Sequence, residues 1–196
     1  ADHNGGFLVA EPRPAPRRVA HFSADGKLIG EWYGGQPYYA WAEPLPRNPS
    51  KVWFNPGSWL TLAEVDYERG GWRVLENYEI GTLAGGLVHA LRGHAGRWRV
   101  VYHENKRYLV STGEPQVLAH GDGTLRAVTV LGHRKATAKA AEMAGYKEKA
   151  GAFRWIDSND DGKPQPAEFT FSESDAVTSG MWVADDWSII SAGNSE

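Results

Sequence analysis

The 196-residue sequence has no cysteine, no excess of basic residues and no long apolar run. The absence of cysteine excludes disulfide bonds, thiolate metal sites and cysteine nucleophiles, although it does not fix the cellular compartment. The 21 lysines and arginines are scattered among 24 aspartates and glutamates, so we expect no nucleic-acid partner. No apolar run approaches the roughly 18 residues that a membrane-spanning helix requires, so we also expect no membrane span.

The sequence begins without an initiator methionine and without a signal-peptide pattern. We therefore expect either a processed mature form or a piece of a longer chain. At 196 residues, the expected organisation is one domain over residues 1–196 with a sizeable core.

Aromatic and turn-forming residues are abundant, with nine Trp, eight Tyr, six Phe, 23 Gly and 11 Pro. These residue types favour strands joined by tight turns. Apolar residues alternate on either side of Gly, Asn or Asp turns, and this pattern predicts four β-hairpins, in residues 18–33, 59–80, 97–112 and 115–133. The sequence therefore predicts an all-β fold.

Two segments depart from the hairpin pattern. The proline-rich residues 37–50 are predicted to form a loop that carries aromatic side chains, because proline supplies no backbone donor to a central strand. Residues 134–150 are rich in Ala, Lys and Glu and predict a short helix. Its apolar face is weak, so we expect a surface insertion.

Two stretches carry a resemblance to a known family. "RRVAHFSADGKLIGEWYGG", residues 17–35, resembles the outer hairpin of NHL-type β-propeller blades, and "GMWVADDWSII", residues 180–190, is similar to the inner strand that opens a following blade. At about 40 to 50 residues per repeat, the resemblance implies a β-propeller, or a propeller fragment, of about four blades. A fragment would need another chain, or its missing part, to cover its exposed strand edges. A β-sandwich is the alternative fold.

The stretch "WIDSNDDGKPQPAEF", residues 155–169, fits the calcium-loop pattern D-x-[DN]-x-[DN]-G-x5-E at every defined position. Calcium prefers six to eight hard oxygen ligands, which alternate side chains of a curled loop provide, and Gly162 permits the sharp turn. The loop at residues 157–168 therefore predicts a Ca²⁺ site. The expected ligands are Asp157, Asn159, Asp161, Lys163 through its carbonyl, and Glu168.

This loop lacks the flanking helices of an EF-hand, because a predicted strand precedes it and Pro164 and Pro166 lie near its exit. It resembles the solitary loops of bacterial extracellular propellers and of dockerin-like modules. We expect a structural ion bound at about 10⁻⁵ to 10⁻³ M, in an extracellular or periplasmic protein. The alternative is an ordinary polar turn, since Asn, Asp, Gly and Pro dominate turns.

Aromatic residues on the predicted proline-stiffened loop form the best candidate ligand surface. They could stack against sugar rings, although packing over the end of a blade is the simpler interpretation. The candidate ligand-binding residues are Trp32, Tyr33, Tyr38, Tyr39 and Trp41.

The histidines and remaining carboxylates suggest no site. His89, His94 and His103 do not have the spacing of a known ligand set, and His120 lies beside a predicted turn, so all are interpreted as ordinary turn and strand histidines. Glu76, like other strand carboxylates, is interpreted as a residue of the wet face of a sheet.

The predicted function is an extracytoplasmic, calcium-stabilised propeller module for binding or assembly, with a polysaccharide or a protein as partner. One alternative is a polysaccharide lyase or glycoside hydrolase of propeller fold, with its site in the central funnel. The other is a structural subunit of a larger assembly.

Overall fold

The structure is a computed structural model and describes residues 4–11, 17–34, 41–55, 59–88, 98–111, 116–133, 135–148, 151–173, 181–183 and 189–191. These residues form four antiparallel sheets, in each of which strands that follow one another in the chain lie side by side. The all-β prediction is therefore confirmed. None of the helices in the described ranges is long and apolar enough to span a membrane.

The smaller sheets lie near the two ends of the chain. The three-stranded sheet consists of β1 (Phe7–Glu11), β2 (Arg17–Phe22) and β3 (Leu28–Gly34). The two-stranded sheet consists of β14 (Met181–Val183) and β15 (Ile189–Ser191).

The two larger sheets occupy the middle of the chain. The four-stranded sheet consists of β4 (Trp41–Leu45), β5 (Asn48–Asn55), β6 (Trp59–Asp66) and β7 (Gly71–Glu79). The six-stranded sheet consists of β8 (Trp98–His103), β9 (Lys106–Ser111), β10 (Gln116–Gly121), β11 (Thr124–His133), β12 (Ala152–Ile156) and β13 (Phe169–Ser172). The remaining elements are a helix, α1 (Lys135–Ala144), and 3-10 turns at Ile80–Gly86 and Pro166–Glu168.

The four predicted hairpins form at the predicted turns. Glu104 and Asn105 join β8 to β9 with φ of 46° and 65°, and Asp122 and Gly123 join β10 to β11 with φ of 51° and 69°. Two consecutive residues with positive φ give the turn whose twist matches that of the flanking strands. Local turn chemistry therefore sets the register of both hairpins.

The prediction of a loop over residues 37–50 is wrong for the residues that the structure describes. Strand β4 contains Pro44, and β5 begins at Asn48 and contains Pro49. Because β4 is at the edge of its sheet, the missing N–H of Pro44 need not break a ladder bond. Pro49 precedes Lys51, where pairing of β5 with β6 begins.

One hydrophobic core joins the four-stranded and six-stranded sheets. Its largest members are Trp53 on β5, Trp98 on β8 and Trp155 on β12, each at most 1% exposed. Burial of such large rings supplies much of the apolar area that stabilises the core. Strand β7 contributes Tyr78 to the same core as β9 and β10, so the polar residues of these strands can meet.

Helix α1 lies within the predicted range but is not only a surface element. Ala136 and Ala140 are buried and belong to the core, with Met143 packed against it. Alanine has a small side chain, so a helix face that is weak in hydropathy can still approach a sheet closely. This is why the expected surface location is incorrect.

Candidate functional site

The acidic loop connects two neighbouring strands of the six-stranded sheet. Trp155 on β12 pairs with Phe169 on β13, so the two ends of the loop are held side by side. The backbone N–H of Asp157 donates to the carbonyl of Val128 on β11 at 2.9 Å. The side chain of Asp157 is fully buried. The loop is therefore held at its two ends by β12 and β13 and is bound to β11 through Asp157.

Backbone N–H groups wrap around the first predicted ligands. Asp157 Oδ1 accepts from the Asp161 N–H at 3.1 Å, and its Oδ2 accepts from the Gly162 N–H at 2.9 Å. Asn159 Oδ1 accepts from the Asp161 N–H at 3.2 Å, and Asp161 Oδ1 accepts from the Lys163 N–H at 2.7 Å. These successive side-chain-to-backbone turns curl the chain around oxygens of alternate residues.

Positive φ angles at two positions permit this curl. Asp160 has φ of 67° and Gly162 has φ of 70°. Aspartate tolerates this region because its short side chain hydrogen-bonds locally, and glycine has no Cβ to clash. The side chain of Asp160 is 76% exposed.

The carboxylate of Glu168 closes the loop through four hydrogen bonds. Its Oε1 accepts from the N–H and the hydroxyl of Ser158 at 2.9 and 3.0 Å. Its Oε2 accepts from Trp155 Nε1 at 3.0 Å and from the Gln165 N–H at 3.1 Å. Burial alone would raise the pKa of Glu168, but these donors lower it below the ordinary value, so the carboxylate is anionic at neutral pH.

Arg126 on β11 is the cation that the sequence analysis did not identify. Its Nη1 donates to Asp157 Oδ2, and its Nη2 donates to Asp160 Oδ1 at 2.7 Å. Its aliphatic stem covers Gly162, where an added Cβ would lie 3.0 Å from Arg126 Cγ. Arg126 precedes the loop by a whole helix and a strand, so no local pattern could have linked them.

The donor chemistry of this loop fits a hard divalent cation such as calcium. The predicted ligands offer only oxygen, from three carboxylates, one amide and one carbonyl. Among the described residues, no three His, Cys, Asp or Glu side chains converge into a group that could hold a metal. Asn159 and the Lys163 carbonyl fall outside those residue types, and the carboxylates here face Arg126, Ser158 and Trp155.

The residues of the predicted aromatic surface are divided between strands and residues outside the described ranges. Tyr38 and Tyr39 lie outside the described residues. Trp32 and Tyr33 lie on β3 and Trp41 lies on β4, where the structure describes the backbone. Sugar binding by these rings remains a prediction.

Of the clustered histidines His89, His94 and His103, the structure describes one. His89 and His94 lie outside the described residues. His103 is exposed at the end of β8, where its Nε2 lies 4.0 Å from a carboxylate oxygen of Glu104. This contact is that of an ordinary strand-end histidine.

A second polar cluster lies between the two larger sheets, and we name it the His120 cluster. The Nε2 atom of His120 lies 2.5 Å from Glu76 Oε2, and the same oxygen accepts from the Tyr78 hydroxyl at 2.6 Å. Arg107, which pairs with His120 across β9 and β10, donates from Nη2 to His120 Nδ1. The Trp53 ring meets the imidazole edge-on, with centroids 4.9 Å apart.

The hydrogen bonds define the charge of each member of the His120 cluster. Arginine can only donate, so His120 Nδ1 accepts and its Nε2 carries the proton that is donated to Glu76. Burial lowers the pKa of His120, and the ring is neutral. Burial raises the pKa of Tyr78 and its bond to Glu76 raises it further. The pKa of Glu76 is lowered despite burial, because Tyr78 and His120 both donate to it.

The prediction that Glu76 lies on the wet face of its sheet is wrong, and a β-bulge is the reason. The pairing of β6 with β7 shifts register, because Leu62 faces Glu76 and Ala63 faces Val74, which leaves Leu75 as an extra residue. An extra residue reverses the alternation of side chains from that point onward. Glu76 and Tyr78 therefore both face the core side instead of the wet face.

No protein-family profile matches this chain, and comparisons with curated proteins and with solved structures find no significant match. The proposals below therefore depend on the residues and their geometry.

Proposed function

We propose that this chain is a calcium-stabilised β-propeller segment that acts outside the cytoplasm as a binding or assembly module. The observation that carries the proposal is the loop at residues 157–168, whose backbone N–H groups already curl around Asp157, Asn159 and Asp161. Such a curl supports the proposal, because a twelve-residue calcium loop takes its oxygen ligands from alternate residues. The ligands would be Asp157, Asn159, Asp161, the Lys163 carbonyl and Glu168.

Support for the propeller comes from the larger sheets. Strands β4 to β7 form a four-stranded antiparallel meander, which is the make-up of one propeller blade, and the six-stranded sheet from β8 to β13 is also an antiparallel meander. On β7, Trp72 and Val74 are 67% and 52% exposed. Large apolar side chains on the exposed side of a sheet suit contact with a neighbouring blade. A β-sandwich of the two sheets is the alternative.

The proposed role of the ion is structural. When bound, calcium would supply the positive charge that offsets the carboxylates of a loop anchored to β11, β12 and β13. Its coordination would be saturated by protein oxygens and water, so no catalytic role is proposed. An affinity of about 10⁻⁵ to 10⁻³ M suits an extracellular or periplasmic setting, where calcium is abundant.

Thermal unfolding in calcium, in magnesium and in EDTA tests this proposal. A ligand that binds only the folded state raises the midpoint with its concentration, so calcium is expected to raise it by several degrees. Asp157→Ala should abolish the difference between calcium and EDTA, whereas Glu142→Gln on α1 should leave it unchanged. Equal midpoints for the wild type in calcium and in EDTA would remove the calcium site from the proposal.

Carbohydrate binding is the proposed use of the aromatic residues Trp32, Tyr33, Tyr38, Tyr39 and Trp41, and its support comes from the sequence. Affinity electrophoresis in polysaccharide gels tests it, because a bound protein migrates more slowly. Trp41→Ala should restore the migration seen without polysaccharide. A wild type that is never retarded would favour a protein partner or a structural subunit.

An enzyme is the second candidate, and the His120 cluster is the observation that favours it. Acid–base catalysis uses a positioned imidazole or phenol, and a cation stabilises developing negative charge; His120, Tyr78 and Arg107 are groups of these kinds. However, both imidazole nitrogens of His120 are engaged and its side chain is 1% exposed. Ultraviolet absorbance of an unsaturated product, formed by wild type and not by His120→Gln, would support the enzyme.

A further inference from the structure

Arg126 is the positively charged partner of a predicted calcium ligand. Its guanidinium contacts Asp157, the first predicted ligand, and Asp160, which the calcium-loop pattern leaves in solvent. Arg126 is 29% exposed on its side chain, whereas the Asp157 side chain is fully buried. A buried carboxylate needs a positive partner or several donors, and Arg126 is that partner here.

The fit of Arg126 to the loop is steric as well as electrostatic. Its Cγ and Cδ would lie 3.0 and 3.2 Å from a Cβ at Gly162, so the stem lies directly on the glycine backbone. The guanidinium reaches both carboxylates from a strand whose Val128 also accepts a hydrogen bond from the loop. Strand β11 thus holds Arg126 next to the loop, because the hydrogen bond to Val128 fixes the loop against the same strand.

We propose that Arg126 is a built-in competitor of the divalent cation: it neutralises Asp157 in the metal-free loop and must release that carboxylate for calcium to bind. The inference rests on the proposed calcium site and adds its regulation. A guanidinium hydrogen-bonded to Asp157 and a divalent ion coordinated by Asp157 would be like charges in contact, which repel. The loop therefore keeps its fold without metal and responds to calcium only at high concentration.

Isothermal titration with calcium of the wild type and Arg126→Gln tests this directly. Gln keeps part of the stem over Gly162 but removes the charge. The variant is expected to bind calcium at least about tenfold more tightly, the factor that loss of one competing charge-assisted hydrogen bond corresponds to. Arg154→Gln on β12 is the matched control, because it removes one positive charge from the same sheet, where Arg154 contacts Thr170.

Thermal unfolding of the same variants covers the case in which Arg126→Gln is poorly folded. In EDTA the variant should have a lower midpoint than the wild type, since Asp157 has lost its partner, and calcium should restore it with a larger shift than in wild type. Arg126→Lys keeps the positive charge and loses the planar guanidinium, so its affinity for calcium should lie between those of the wild type and Arg126→Gln.

Each outcome has a distinct meaning. Tighter calcium binding by Arg126→Gln than by wild type and Arg154→Gln supports the inference. Equal or weaker binding by Arg126→Gln, with clear binding by wild type, overturns the competition and leaves the calcium site standing. If calcium neither binds nor shifts the midpoint of any of these proteins, the calcium site and the competition both fall.

Discussion

His120 on β10 and Glu76 on β7 are joined at 2.5 Å between the imidazole Nε2 and the carboxylate Oε2, and this bond links the six-stranded sheet to the four-stranded sheet. The two strands are not neighbours in either sheet, so the bond is a tertiary contact. It lies beside the buried Trp53, in a region of the core that excludes most water. A change in its protonation therefore affects the packing of the two sheets.

The His120 cluster makes stability depend on pH. Burial lowers the pKa of His120 below its ordinary 6.5, so the unfolded chain binds a proton before the folded protein does. The contribution of neutral His120 to the free energy of unfolding is then fully present above about pH 6.5. It is lost as the pH falls toward the lowered pKa of His120 in the folded protein. The pKa of Glu76 is also lowered, which adds a further loss below about pH 4.5. The free energy of unfolding, measured in urea from pH 8 to pH 5, should show this decline.

His120→Gln provides the comparison for that experiment. Gln retains a polar group at position 120 but does not titrate, so its curve should be flatter than that of the wild type between pH 5 and pH 7. His103→Gln is the control, because His103 is exposed at the end of β8. If His120→Gln and wild type lose stability in parallel, titration of His120 is not the cause of the decline.

The hairpins were predictable because their signals are local. An Asp-Gly or Glu-Asn pair between alternating apolar residues determines both the turn and the register of its strands. The edge strand β4 was not predicted, because Pro44 disrupts a strand only where a neighbouring strand would accept a hydrogen bond from its backbone N–H. Which strand lies at an edge depends on the tertiary structure. The burial of Ala140 was missed for a similar reason, since it depends on how closely the sheet approaches α1.

The same difference between local and long-range signals applies to the candidate sites. The calcium-loop pattern at residues 157–168 lies within twelve positions, so it is visible in the sequence, and calcium binding there stays a prediction. Arg126 and the His120 cluster depend on which strands pair and on an extra residue at Leu75. A one-residue change of register is invisible to a periodicity argument, because it reverses the faces of a strand without altering its composition.

We predict that position 132 on β11 must be glycine, because the ring of Phe153 on β12 leaves no room for a side chain there. Gly132 pairs with Phe153 on β12, and an added Cβ would lie 2.3 Å from the Cε1 atom of that ring. Because Phe153 is buried in the core, the ring has little room to move. Gly132→Ala should lower the free energy of unfolding by about 1 to 3 kcal/mol, the usual cost of overpacking, as measured by chemical denaturation.

The control for Gly132 is Gly121→Ala at the end of β10, where an added Cβ would meet no atom of the described residues within 4 Å. Its effect should remain below about 1 kcal/mol, the usual penalty of a glycine change within a strand end. In addition, Phe153→Leu should reduce the cost of Gly132→Ala, because it removes the ring atoms that the new Cβ approaches. Additive effects of the two changes would show that the predicted contact carries no energy.

Glycine is predicted to be required at position 162 for two reasons, its backbone conformation and its contact with the side chain of Arg126. Its φ of 70° disfavours any residue with a Cβ, and that Cβ would also lie 3.0 Å from Arg126 Cγ. Gly162→Ala should therefore cost about 1 to 3 kcal/mol in EDTA. In an Arg126→Ala background the steric part disappears and only the backbone part, about 1 kcal/mol, should remain. Equal costs in both backgrounds would mean that the stem of Arg126 does not contribute to the cost of Gly162→Ala.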